Sequence, residues 1–274
     1  MTTIPDNGYA KLIPELDRLA RAAAAVILDV YGRSDHGATR KADASPLTEA
    51  DLASHRLLMR GLAAMHPELP ILSEENANQI TTAERRNWQR YWLVDPLDGT
   101  KEFLKRNGEF TVNVALIEFG RPVLGIVHVP VSGMSYTGST DGHAERHDGK
   151  GEPRVLHVAG PLGKRAVRIV GSRSHAGGEL DGFAKALGKH EFLAVGSSLK
   201  FCLVAEGAAD VYLRLKPTSE WDTAAGQAVL EAAGGAVTNL AGLPLRYNAR
   251  DTLINPSFLA SGDLSRDYLA AAAA

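Results

Sequence analysis

The run Trp92-Leu93-Val94-Asp95-Pro96-Leu97-Asp98-Gly99-Thr100-Lys101-Glu102-Phe103 constrains this chain more than any other stretch, because an apolar strand pattern ends in two carboxylates and passes at once into a helix-start signal. Pro96 fixes one backbone angle between the aspartates, so both side chains can turn towards one point at the edge of a sheet. Gly99 and Thr100 then offer backbone N–H groups where a helix begins. Such groups receive phosphate oxygens, while carboxylates hold the magnesium that phosphate needs. Asp-Gly after a strand is also an ordinary turn, so the reading depends on the rest of the chain.

That rest reads as α/β. Leu12, Leu16, Leu19, Ala23, Val26 and Val30 recur at three- and four-residue steps, which predicts one amphipathic helix from about Tyr9 to Tyr31, ended by Gly32. A polar loop with Gly37 and Ser45-Pro46 leads to Thr48 and a second helical pattern through Ala53, Leu57 and Leu62, ending before His66-Pro67. From Leu69 the period changes. Pro70-Ile71-Leu72 runs into Glu74-Glu75, and Tyr91 to Val94, Thr111 to Phe119 and Val123 to Val129 read as strands, with a turn at Gly120-Arg121-Pro122. Ser132 to Gly151 suits exposed hairpins and a weak boundary. Beyond it, strands at Ala166 to Val170, Glu191 to Val195 and Asp210 to Leu215 alternate with helices near Glu179 to Leu187, Leu199 to Glu206 and Asp222 to Ala233. Ala271 to Ala274 reads as a frayed helical end.

At 274 residues the chain holds one large or two modest domains, by a prior of roughly 150 residues each. Hydrophobic content of 45%, charged content of 23% and a net charge of -2 exclude a disordered or strongly basic nucleic-acid-binding chain. Cys202, the only cysteine, excludes an internal disulfide and a cysteine-rich zinc site; it reads as a buried small hydrophobe. Met1 to Glu15 lacks the basic and apolar regions of a secretory signal, and Ala22 to Leu28 is too short to cross a bilayer. The cytoplasm is the expected location, with peripheral association at the inner membrane face left open.

Three acidic groups stand where an apolar segment stops: Glu74-Glu75, Asp95 with Asp98, and Asp222 after Ser219-Glu220-Trp221. Taken singly, Glu74-Glu75 also fits a solvated turn and Asp222 a helix N-cap. Open α/β sheets bind ligands at such strand ends, so the three clusters are expected to share one crevice. An all-oxygen donor set without paired histidines suits magnesium rather than zinc, and metal-assisted hydrolysis of a phosphate ester is the chemistry it points to.

Asp95-Pro96-Leu97-Asp98-Gly99-Thr100, with upstream Glu74-Glu75 and downstream Trp221-Asp222-Thr223-Ala224-Ala225-Gly226, resembles the inositol monophosphatase superfamily of lithium-sensitive, magnesium-dependent phosphatases. Lys101 to Asn113 and Gly196 to Gly207 resemble its CysQ-type branch of 3'(2'),5'-bisphosphate nucleotidases. The resemblance implies a layered αβαβα sandwich across 1–274 as one catalytic domain, with an N-terminal α+β half to about 155 and a C-terminal α/β half from about 156. It implies removal of the 3'-phosphate of adenosine 3',5'-bisphosphate, and of its sulfated precursor, in sulfate assimilation. The enzyme would be a monomer or homodimer.

The same resemblance assigns residues. Glu74, Asp95 and the Leu97 carbonyl would hold one magnesium, and Asp95, Asp98 and Asp222 a second, with a third, weaker ion near Glu74 in parts of the family. The amides of Gly99 and Thr100 would take the phosphate. Asp51 would pair with Thr100 to orient the attacking water, although Thr48-x-x-Asp51 is also a capping-box pattern. Ser198 and Lys200 either meet the 5'-phosphate or form a plain helix start with a solvated lysine. Glu220 either contacts sugar hydroxyls or flanks the site, Trp221 reads as core, and Lys101 and Glu102 fit an exposed helix face equally well.

Three rivals remain at this stage. An inositol or fructose-bisphosphate phosphatase would share the metal site. A haloacid-dehalogenase-type enzyme would use a phosphoaspartate, but spaces its two aspartates by one residue where Pro96 and Leu97 make two. A nucleotide-binding regulator without turnover is disfavoured, since none of Glu74, Asp95, Asp98, Thr100 and Asp222 is missing.

Overall fold

A computed structural model describes residues 8–33, 39–40, 46–172 and 180–273. The loop positions Gly37 and Ser45, the first residue of the helix expected from Glu179, and Ala274 lie outside the described residues. The chain opens with α1 (Ile13–Tyr31), whose Ile13, Leu16, Ala20, Ala23, Ile27 and Val30 form one buried stripe, and Gly32 ends it by donating to the Leu28 carbonyl. A two-residue ladder of β1 (Thr39–Arg40) and β2 (Pro46–Leu47) precedes α2 (Glu49–Met65), which starts at a Thr48–Asp51 capping box. Next come β3 (Ile71–Ser73), α3 (Thr82–Arg85), β4 (Arg90–Asp98), α4 (Thr100–Leu104), β5 (Thr111–Glu118), β6 (Arg121–Val129), β7 (Met134–Ser139), β8 (Ala144–His147) and β9 (Arg154–Val155). The strands make a seven-stranded sheet in chain order, antiparallel except for the parallel β3–β4 pair.

The second part contains β10 (Val167–Gly171), α5 (Asp181–Leu187), β11 (His190–Ala194), α6 (Leu199–Ala205), β12 (Val211–Arg214), α7 (Ala224–Ala232), β13 (Ala236–Asn239), β14 (Phe258–Ser261) and α8 (Tyr268–Ala272). Its sheet has the order β11-β10-β12-β14-β13. The first three strands are parallel, as the alternation with helices requires, and the last two add antiparallel.

Period-two alternation fixes the layers. In β4, Trp92 and Val94 join the α1–α2 core, whereas Tyr91 and Leu93 face Phe201 and Cys202 of α6 and Val229 of α7. In the second sheet, Tyr212, Phe258 and Ala260 face the same α6–α7 layer, while Ile169, Val211 and Leu259 pack outward on Phe183 of α5 and Tyr268 of α8. The order is therefore helices, sheet, helices, sheet, helices: the expected αβαβα sandwich. Helix α7 lies directly on strand backbone, because a Cβ added at Gly125 would stand 2.6 Å from the Ala225 carbonyl and one at Gly138 2.6 Å from the Val229 Cα. No helix among the described residues is long and apolar enough to cross a membrane.

Some expectations change. The β5–β6 turn is Phe119–Gly120, both left-handed (φ 48 and 73), so Arg121 and Pro122 already belong to β6. Ser132 to Gly151 is not wholly exposed: Ser135, Thr137 and Ser139 of β7 are buried small polar residues. Strands β13 and β14 had no counterpart in the sequence reading.

Candidate metal and phosphate site

Asp95 and Asp98 are three residues apart, which in a regular strand would send them to opposite faces. They meet because β4 bulges: Asp95 pairs with Asn113 but Asp98 with Thr111, three steps on one strand against two on the other. The bulge is pinned from both sides. Leu97 N–H donates to Asp95 Oδ1 at 3.0 Å, and the buried Ser54 of α2 donates to the Pro96 carbonyl at 2.7 Å. Parallel pairing sets Ser73 opposite Val94, and Glu74 N–H donates to the Val94 carbonyl at 3.1 Å, so Glu74 arrives beside Asp95.

Asp222 comes from the other half of the chain. It closes a 3-10 turn, Glu220–Asp222, and its Oδ2 accepts from Ser219 N–H at 2.9 Å and from the Thr218 hydroxyl. One carboxylate oxygen each of Asp95, Asp98 and Asp222 lies within 4.8 Å of the others. Asp98 Oδ2 is steadied by Ser198 Oγ at 2.6 Å and Asn113 Nδ2 at 3.4 Å. Burial, then the charges of Glu74, Asp98 and Asp222, push the Asp95 carboxyl well above the usual carboxylate range. Burial and Asp98 push Asp222 up to about 6.

None of the ion pairs among the described residues involves Asp95, Asp98 or Asp222. Desolvated like charges without a directly paired cation are costly unless a proton or a metal intervenes. The donor set fits a hard divalent cation, and the only thiol, Cys202, is buried in the α6–α7 core. Glu74 borders the three aspartates rather than joining their 4.8 Å group.

The phosphate side follows directly. Gly99 has φ 95, and a Cβ there would meet the Glu109 carbonyl and Ser197 Cβ, each at 3.3 Å, so the turn into α4 takes only glycine readily. Thr100 Oγ1 donates to Asp51 Oδ1 at 3.3 Å, while Asp51 Oδ2 accepts from Thr48 N–H at 2.8 Å. The capping box and the Thr100 contact thus use different oxygens of one buried carboxylate.

Asp98, Gly99 and Asp222 line a cleft of about 170 Å³ together with Lys200, Tyr212 and Arg214. Lys200 is not solvated: its ammonium donates to the Ser197 carbonyl, lies 5.4 Å from the Tyr212 ring centre, and is held down to about pKa 8 by burial, against which Asp98 acts. Lys101 and Glu102 also border the cleft.

Two substrate candidates, Ser198 and Glu220, do not line the cleft. Ser198 is 2% exposed, and its hydroxyl serves Asp98, the Asp222 carbonyl and Asn113, so it stands behind the carboxylates. Glu220 is fully buried outside the cleft, accepting from Asn248 N–H at 2.7 Å, and its carboxyl is raised to about 7 by burial. Trp221 packs on the core as expected. Sequence reasoning missed Asn113, Thr218 and Arg214. The signal for Asn113 was a lone amide inside the apolar strand Val112 to Ile117.

Comparison with known proteins places these features in a lineage. The inositol monophosphatase family matches residues 10–272. The 3'(2'),5'-bisphosphate nucleotidase CysQ of Shigella flexneri is 47% identical over 251 residues, 91% of this chain and 99% of that one. The crystal structure of CysQ from Bacteroides thetaiotaomicron, a bacterial member of the inositol monophosphatase family, superposes with a TM-score of 0.80 at 39% identity, over 94% of this chain and 98% of that one. The extragenic suppressor protein suhB of Bartonella henselae, 22% identical with a TM-score of 0.78 over 96% and 98% of the two chains, shares the fold.

Proposed function

The chain belongs to the inositol monophosphatase family, which is metal-dependent, and from that premise we propose that it is a magnesium-dependent 3'(2'),5'-bisphosphate nucleotidase acting on adenosine 3',5'-bisphosphate and its sulfated form. The observation that carries the reading is the Asp95–Asp98–Asp222 cluster at a cleft that also contains Lys200 and Arg214. The carboxylates suit the divalent ions, and the cations suit a substrate bearing a second phosphate.

Asp95, Glu74 and the Leu97 carbonyl would hold one magnesium, and Asp95, Asp98 and Asp222 another. Bound magnesium would supply positive charge at the phosphoryl oxygens and make a nearby water acidic. The chain's own part is then positional. The Gly99 and Thr100 amides receive phosphate oxygens at the start of α4. Thr100 Oγ1, whose own proton points at Asp51, keeps lone pairs free to accept a proton from the attacking water, and Asp51 would take the hydroxyl proton that Thr100 gives up, becoming the neutral acid. Ser198 and Asn113 hold Asp98 in place, and Thr218 and Ser219 hold Asp222. The two halves of the chain act as one catalytic domain, since the ligands come from both.

The test is phosphate release from adenosine 3',5'-bisphosphate, its sulfated form, inositol monophosphate and fructose 1,6-bisphosphate, side by side, with magnesium and with EDTA. Magnesium-dependent release led by the nucleotides is expected. Equal or faster release from the inositol or sugar phosphates would overturn the substrate assignment.

A further inference from the structure

The loop between β3 and β4 starts at Glu74 and carries, on the single-turn helix α3, an arginine that is fully buried: Arg85. Arg85 does not line the cleft, and among the described residues its guanidinium forms no ion pair with a carboxylate, though its charge acts on Glu220. It donates to Asn248 Oδ1 at 2.6 Å, to the Arg250 carbonyl at 3.0 Å and to the Asp251 carbonyl, while Asn248 Nδ2 returns a bond to the Arg85 carbonyl. Asn248 is held in the left-handed region (φ 55), which aims its N–H at Glu220 Oε2, 2.7 Å away. Arg250 reaches Glu220 Oε1 at 3.4 Å.

The same loop grips the Asp222 turn along its whole length. Glu220 N–H donates to the Leu253 carbonyl at 2.9 Å, and Asn255 N–H to the Thr218 carbonyl at 2.8 Å. Asn255 Nδ2 donates to the Ser219 carbonyl and Thr223 Oγ1, both at 2.9 Å. Removing the guanidinium would leave three part-buried acceptors without their shared donor, and a free loop would no longer fix the turn.

We propose that Arg85 is a positioning residue for the divalent-cation centre, tying the loop 248–255, and through Glu220 the Asp222 carboxylate, to the segment that begins with Glu74. The inference rests on the metal-centre reading above. It makes one arginine, remote from substrate, the coupling between ligands contributed by the two halves. Partners of this outer kind change metal affinity by roughly 10- to 100-fold when lost.

Manganese serves as the probe, with free Mn2+ counted by electron paramagnetic resonance against wild type, Arg85→Met, Asn248→Gly and Arg165→Met. Asn248→Gly keeps the left-handed backbone and the N–H to Glu220 but removes the side-chain acceptor. Arg165, which pairs with Asp210 just ahead of β10 and β12, is a control for loss of a structural arginine. Arg85→Met is expected to weaken Mn2+ binding about 10-fold, and Asn248→Gly several-fold. Arg165→Met should bind as wild type does, whatever its melting temperature. If Arg85→Met fails to fold, Asn248→Gly alone decides. Unchanged Mn2+ affinity in the folded variants, or an equal loss in Arg165→Met, would overturn the inference alone; wild-type protein that binds no Mn2+ would overturn the metal-centre reading and the inference with it.

Discussion

Asp98 is the residue on which the account can be tried most cheaply, because it is half-buried, bonded by Ser198 and Asn113, and close to two other carboxylates. Asp98→Asn keeps the shape, can keep the Ser198 bond, and removes one charge from the cluster. Phosphate release should fall by roughly 10²- to 10³-fold or more, while the metal-free melting temperature stays level or rises as repulsion is relieved. Wild-type turnover in a colorimetric phosphate assay would contradict the role. Asp95 and Asp98 were legible in the sequence because they close an apolar run, and Asp222 because it follows Trp221 at the start of a helical pattern; burying an acid demands a reason. For Ser198 and Glu220 the sequence left two readings open, because a helix start or a turn has two sides, and only the fold decides which one faces the cleft. The sequence could not show that Ser198 looks inward at Asp98, nor that Glu220 is turned towards Asn248.

At the scale of elements, the bulge of β4 and the seat of α7 do the positioning. Helix α7 follows Asp222 immediately, and it lies so close to β6 that Gly125 leaves no room for a methyl group. Gly125→Ala is expected to cost about 1–3 kcal/mol in urea unfolding and to raise the magnesium concentration needed for half-maximal activity. A variant as stable as wild type would show that α7 is not held by this contact. The long helices α1 and α2 were readable from their periods and caps. The bulge was not, since nothing in Asp95-Pro96-Leu97-Asp98 says that Thr111 and Asn113 lie opposite. The β5–β6 turn was displaced by one residue because Phe119 takes a left-handed backbone that its type does not advertise. Strands β13 and β14 are four residues each, too short for periodicity to register.

For the whole molecule, the sandwich brings the β3–β4 end of one sheet against the Glu220–Asp222 turn that follows the other sheet's β12, and the site is complete only when both halves are in place. That makes metal binding a folding term, with a definite pH dependence. Burial and neighbouring charge raise Asp222 to about 6 from 3.8, so between those values the metal-free folded state holds a proton that the unfolded state has lost. Stability without metal therefore falls as pH rises through that window, and the Asp222 proton that competes with magnesium is half lost at about pH 6, while the proton on Asp95, raised well above the usual carboxylate range, persists to higher pH. The rise in melting temperature given by magnesium over EDTA should be larger at pH 7.5 than at pH 5. An equal rise at both would mean that the cation binds elsewhere. The alternating order of strand and helix made the layered class readable. Which faces meet is decided by the period-two split of residues such as Trp92 and Tyr91 between two cores, and that emerged only with the sheet order.

The central claim is that carboxylates from distant parts of the chain make one divalent-cation nest. Anomalous scattering from crystals soaked in manganese tests it most directly. A strong peak bounded by Asp95, Asp98 and Asp222 is expected, with a second between Asp95 and Glu74. Crystals with manganese bound only at other carboxylates, and none among these four, would contradict it.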